Sequence, residues 1–179
     1  MDAAQVLAFR LARSGLARRD APGLAAAAAC PASDFSRDAA LLAVAARREP
    51  LAREEYDAAV DSGDLIVAHI VRGAIHALAP PDLALYGRAL IATGDDELAA
   101  QLGRQVKRLT AEHGIAPTDA LAEVADATQD ALGGSGALGK NALHEAYRAR
   151  VREELMPWCR GCKSHHVAPM LWRYATVAA

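Results

Sequence analysis

Two thiols and two imidazoles crowd into one short stretch near the end of the chain, Cys159-Arg160-Gly161-Cys162-Lys163-Ser164-His165-His166. A Cys-x-x-Cys pair followed closely by His is a spacing that tetrahedral zinc can use, because thiolate and neutral imidazole are among its preferred donors. Adjacent histidines rarely reach one ion together, and no second Cys/His cluster completes a conventional finger. The spacing alone therefore assigns no metal ligand, and thiols and imidazoles packed into a tight turn are the plainer reading. A redox pair would be expected at a helix start beside a βαβ pattern, which is missing. Ser33-Asp34 is the other pair with chemical reach, yet no Gly-x-Ser-x-Gly turn and no strand leads into it. Loop Ser and Asp are commonly helix caps, and Asp34 or Ser36 suits the start of the next helix.

Cations supply the second kind of chemistry. Arg10 and Arg13, three apart on one side of an opening helix, form a patch with Arg18 and Arg19. Lys140, Asn141, Arg148, Arg150 and Arg152 decorate a later helix, where such side chains suit phosphate contacts. Glu145, Glu153 and Glu154 lie among them, so an ordinary solvated helix face is an equal alternative. Arg72 and His76 put a cation and an imidazole on an otherwise apolar strand pair, with His76 also readable as a core histidine.

These residues need elements to hold them. Apolar periodicity predicts helices over residues 3–16 and 22–29, a Pro- and Ser-containing loop over 30–36, and helices beginning near Asp38 and over 53–61, the latter stopped by Ser62-Gly63. Leu65 to Val71 is dense in β-branched residues and reads as a strand. A second apolar run, 74–78, follows Arg72-Gly73, and Gly73 suits a turn or bulge between the two. Helices followed by a hairpin is the order of a winged helix. After Pro80-Pro81, helices over 82–91 and 95–113 read as a connector. A second unit opens at Pro117-Thr118-Asp119, with helices to Leu132 and over 141–154 separated by Gly133-Gly134-Ser135-Gly136. An irregular or hairpin stretch through His166 then precedes a helix from about residue 168. The expected architecture is mainly α with small β-hairpins, as tandem winged-helix-like units over 1–80 and 117–179 joined by a helical connector over 81–116.

Composition limits the function classes. With 20 Lys+Arg against 22 Asp+Glu, no overall field draws the chain to DNA or to an anionic membrane, so any such contact must be local. The longest apolar stretch, residues 23–30, is mostly alanine and far too short to span a bilayer, so no membrane partner is expected. The odd set Cys30, Cys159 and Cys162, with no secretory signal ahead of it, fits free thiols in a reducing cytoplasm.

Taken together, Phe9-Arg10-Leu11-Ala12, the 30–47 loop and helix ending Leu41-Leu42-Ala43-Val44-Ala45-Ala46-Arg47, Arg72-Gly73-Ala74-Ile75-His76 and Trp158-Cys159-Arg160-Gly161-Cys162 with His166 resemble the AlkZ/YcaQ-like winged-helix family of crosslink-repair DNA glycosylases. The resemblance covers nearly the whole chain and places it as the N-terminal half of such a protein. It implies double-stranded DNA, alkylated or crosslinked, as the partner. It also implies a nucleoid-associated location, and N-glycosidic bond hydrolysis by activated water without metal or organic cofactor. The family's Gln-x-Gln or Gln-x-Asp motif falls on Ser33-Asp34-Phe35, which makes Ser33 and Asp34 the catalytic candidates. The chain departs from the motif there, because Phe35 cannot hydrogen-bond a water and Ser33 reaches less far than Gln. Arg10, Arg13, Arg72, His76, Lys140, Asn141, Arg148 and Arg152 are the DNA-contact candidates. The alternatives are a non-enzymatic winged-helix regulator that reads DNA with the 141–154 helix, and a helical interaction domain.

Overall fold

The computed structural model describes residues 2–17, 20–133 and 137–179, and the chain divides into two compact units. The first comprises residues 1–70 and 74–86; the second comprises 71–73 and 87–179.

The first unit opens with α1 (Ala3–Arg13), started by a reciprocal cap in which the Asp2 carboxylate accepts from the Gln5 N–H and the Gln5 side chain accepts from the Asp2 N–H. No residue of α1 is buried, so its apolar side packs into no core. Then come α2 (Leu24–Ala27), β1 (Ala32–Ser33), α3 (Ala39–Ala45), α4 (Arg53–Ser62), β2 (Ile66–His69) and β3 (Ile75–Leu78). The strands form an antiparallel sheet in the order β1-β3-β2, with Ala32 opposite Ala77 and His69 opposite Ile75. This is the element order and pairing of a winged helix. Gly63 ends α4 at φ 82°, the left-handed stop expected from Ser62-Gly63. The core is thin and built from small side chains, with Ala27, Ala28, Ala40, Val44, Ala59 and Ala77 around Tyr56 and Leu65.

The connector is corrected by the structure. The 82–91 helix is broken into single turns, Pro80–Asp82, α5 (Leu83–Tyr86) and Arg88–Leu90. The next helix, α6 (Asp95–His113), belongs to the second unit's core. α6 is two helical segments that meet at Gly103 (φ 81°, ψ 173°), and its Leu98 and Leu102 before the break and Val106 and Leu109 after it are all buried. It packs against α7 (Pro117–Gly133), which also meets α8 (Lys140–Arg148) and α9 (Pro169–Ala178). Between α8 and α9 lies a small antiparallel hairpin, β4 (Trp158–Cys159) and β5 (Ser164–His165), in which Trp158 faces His165 and Cys159 faces Ser164. Helices before a hairpin again give a winged-helix-like order, without a third strand among the described residues. The expected 141–154 helix stops at Arg148; residues 149–152 form a turn that leads into a short 3-10 turn at Glu153–Leu155.

Candidate functional site

The hairpin turn gathers the densest chemistry. Between Cys159 and Ser164 the chain reverses over Arg160, Gly161, Cys162 and Lys163, with Lys163 in the left-handed region at φ 50°. The turn aims backbone N–H groups at the first sulfur. The N–H of Cys162, then the His166 imidazole, the Cys162 thiol and the N–H of Gly161 hold the Cys159 thiol at a pKa of about 7, against a smaller opposing effect of burial. The Cys162 thiol is pushed up, first by its hydrogen bond to Cys159.

Cys159, Cys162 and His166 bring their donor atoms within 4.8 Å of one another. The two adjacent histidines part company here. His165 lies on the hairpin, its Nδ1 2.9 Å from the Met156 carbonyl oxygen and its ring against Trp158 at 5.2 Å between centroids. His166 turns the other way, with Nδ1 2.8 Å from the Val167 carbonyl oxygen. A carbonyl only accepts, so Nδ1 carries the proton and Nε2 is left with a bare lone pair. That Nε2 is buried within reach of the Cys159 sulfur but makes no hydrogen bond of good geometry, so His166 acts on that thiol by proximity and not by a donated proton.

The face of α8 completes the surroundings. Lys140, Asn141, His144, Glu145 and Arg148 line a groove of about 310 Å³ with Cys162, Ser164 and His166 of the hairpin segment. His144 is a ring neighbour of His166 at 5.2 Å between centroids. Burial first, then His166, Lys140 and Arg148, lower its pKa, so it is neutral at physiological pH. Its Nδ1 is likewise buried without a hydrogen-bond partner. His144, His166 and Cys162 thus line one groove with Lys140, Glu145 and Arg148, and Cys159 stands beside Cys162 and His166.

The DNA-contact candidates separate. Lys140, Asn141 and Arg148 share this groove, with Arg148 also paired to Glu145. Arg152 is not on α8 at all; Glu123 of α7 accepts from its backbone N–H at 2.7 Å and from its Nε at 2.6 Å. Arg10 and Arg13 sit in the last turn of α1, and their expected neighbours Arg18 and Arg19 lie outside the described residues, as do residues 134–136 of the Gly-rich turn. Arg72 is exposed at the β2–β3 turn, at φ 56°, and groups with the second unit, whereas His76 lies on β3 of the first. α4 presents Glu54, Glu55, Asp57 and Asp61 to solvent, and its Arg53 is paired to Asp38 at 2.9 Å.

The catalytic candidates are placed by the sheet. Ser33 is exposed on β1 directly opposite His76, whose Nδ1 is 3.0 Å from the Ala74 carbonyl oxygen. Asp34 accepts from the Ala40 N–H at 3.1 Å and so caps α3, as its loop position suggested. Phe35 is 89% exposed. The structure brings together the donor atoms of Cys159, Cys162 and His166, for which the spacing alone assigned no metal ligand, and the divergence of His165 from His166 was not legible in that spacing. His144 was not singled out in the sequence; its spacing from Lys140 and Arg148, four residues each way, could have placed it on their helix face but not beside His166. No family model, no curated protein and no solved structure matches this chain.

Proposed function

We propose that this protein binds double-stranded DNA through its second unit, with α8 and the cysteine hairpin as the contact surface. The observation that carries the reading is the grouping of Lys140, Asn141 and Arg148 along one groove, with Arg160 and Lys163 exposed on the adjoining turn. A helix that presents cations and an amide beside a short hairpin meets the needs of phosphate contact and base-edge hydrogen bonding together. Asn141 is the side chain suited to a base edge; Lys140, Arg160 and Lys163 are suited to phosphates.

Binding is the favoured activity over base excision. Water activation needs a polar side chain free to hold it, and Asp34 is occupied as a cap while Phe35 offers no acceptor. The first unit serves as a scaffold in this reading, since the carboxylates of α4 would meet phosphates with repulsion.

The test is fluorescence anisotropy of a labelled duplex over a salt series, comparing the unaltered chain with Lys140→Ala and Asn141→Ala. Binding should weaken steeply with salt, and Lys140→Ala should reduce the log–log slope by about 1, the release expected from one lost phosphate contact. Asn141→Ala should leave the slope unchanged and narrow the difference between duplex sequences. Binding that neither variant alters, or none at low salt, would overturn the reading.

A further inference from the structure

We propose that Cys159, Cys162 and His166 form a zinc site whose fourth ligand is His144, so that the metal ties the hairpin to α8. The site stands independently of the DNA-binding reading.

The donor set identifies the metal class. Two sulfurs and imidazole nitrogens are soft to borderline ligands, which select zinc over magnesium or calcium. Around tetrahedral zinc, with sulfur at about 2.3 Å and nitrogen at about 2.05 Å, neighbouring donor atoms stand about 3.4 to 3.8 Å apart. The three donors here already fall inside a 4.8 Å envelope, so side-chain adjustment alone closes it.

Protonation is arranged in the same sense. A ligating imidazole must present a lone pair while its other nitrogen donates to a fixed acceptor, which sets the tautomer and ring orientation. His166 meets this condition through the Val167 carbonyl at 2.8 Å, leaving Nε2 buried near the two sulfurs with no hydrogen bond of good geometry. A buried acceptor with no donor is costly unless something supplies the missing interaction. A zinc ion supplies it.

His144 is assigned from two observations. Its Nδ1 is a second buried, unpartnered nitrogen on the same side of α8. Its ring centroid lies 5.2 Å from that of His166. Two imidazoles on one tetrahedral zinc place their centroids about 5 Å apart, from the Zn–N length and the size of the ring. His144 lies outside the three-donor envelope, and its side chain would have to turn toward the sulfurs to join it. His165 is excluded by its separate contacts with the Met156 carbonyl and Trp158.

Fold economy points the same way. Two strands of two residues each, joined by a turn with a left-handed lysine, make a hairpin too small to hold itself. Metal binding free energy becomes folding free energy in such a segment. Binding also releases protons, since zinc takes cysteine as thiolate when the Zn–S bonds form.

The experiment uses the full chain, reduced and stripped of metal, titrated with cobalt(II) and then with zinc. One equivalent of cobalt should give the intense visible bands of a tetrahedral site with thiolate charge transfer, and zinc should displace it. Cys159→Ser and Cys162→Ser should each abolish the thiolate signal. His144→Ala should retain a thiolate-bearing site with at least tenfold weaker affinity and altered visible bands, whereas His165→Ala should match the unaltered chain. Circular dichroism at each step confirms that the helices persist. Cobalt spectra of octahedral type, or no saturable binding by the unaltered chain, would overturn the site; a His144→Ala spectrum and affinity identical to the parent would overturn the fourth ligand. Formation of a Cys159–Cys162 disulfide with no metal uptake after reduction would replace the proposal with a redox pair.

Discussion

α8 carries the groove, and beside the apolar packing of Leu143 and Tyr147 a fully buried polar contact holds it to the unit. Tyr147 and Thr128 are both 0% exposed, and their oxygens lie 2.7 Å apart. Thr128 has one hydroxyl proton, committed to the Val124 carbonyl at 2.6 Å, so the Tyr147 hydroxyl must be the donor between them. Burial pushes the Tyr147 phenol up in pKa, with the Thr128 contact opposing, so the proton stays on the ring oxygen across the usual pH range.

That assignment predicts an asymmetry. Thr128→Val strands the Tyr147 O–H in the core and sets a methyl group against it, which costs about 2 to 3 kcal/mol from the unpaired donor and the crowding combined. Tyr147→Phe leaves Thr128 bonded to Val124, so only one neutral hydrogen bond is lost, at about 1 kcal/mol. The double variant replaces both partners with apolar groups. It should be no less stable than Thr128→Val alone, giving a coupling of about 1 kcal/mol or more. Both tryptophans, Trp158 and Trp172, belong to the second unit, so urea unfolding followed by tryptophan fluorescence reports on that unit. Equal costs for the two single variants, or strict additivity in the double, would refute the donor assignment.

Three further outcomes follow from the same structure. Asp95 accepts from the Thr118 N–H at 3.0 Å and hydroxyl at 2.8 Å, first the backbone and then the side-chain bond holding its carboxyl below the usual range. This stabilisation is present above the unfolded pKa of about 4 and is lost as pH falls through the lower folded value, so Asp95→Ala should destabilise at neutral pH and match the parent in strong acid. Denaturant midpoints taken along a pH series would check it, and a difference that persisted in acid would contradict it. Gly73 sits at φ 66°, with the position of an added Cβ 2.9 Å from Met170 Cε; Gly73→Ala should cost about 1 to 2 kcal/mol from the left-handed backbone, read by the same tryptophan unfolding. Asp34→Ala should cost about 1 kcal/mol as a lost cap on α3, seen in thermal melts by circular dichroism, while leaving DNA affinity unchanged.

Much of this fold was legible in the sequence because its signals are local. The Ser62-Gly63 stop, the β-branched run into β2 and the turn at Arg72-Gly73 each depend on a few neighbouring residues, and each appears where the pattern placed it, whereas the helix over 95–113 is interrupted at Gly103. The errors arose where tertiary contacts decide. A stripe such as Leu98, Leu102, Val106 and Leu109 fits a freestanding connector as well as a core helix, until its cover, Val124 of α7 and Leu171 of α9, is known. The 141–154 helix was overextended because Val151 and Leu155 keep the apolar period past Arg148. Both are buried, but from a turn and a 3-10 segment held partly by the Arg152–Glu123 contact across 29 residues of chain.

The site divides along the same line. Cys-x-x-Cys declares a possible ligand pair by spacing alone, and nothing local says which of two neighbouring imidazoles joins it. The choice is made by carbonyls: Met156, nine residues back across the hairpin, takes His165, and Val167 fixes the proton of His166. His144 is further still from sequence reach, since its relation to His166 depends on how α8 lies against the hairpin segment. Charge was misleading for a similar reason. Arg152 counts as a cation in any tally, yet its Nε and backbone N–H are both held by Glu123, while Lys140 and Lys163, less conspicuous in the chain, stand exposed beside the thiols. A basic residue contributes to a binding surface only after its internal acceptors have been counted, and that count depends on the folded packing.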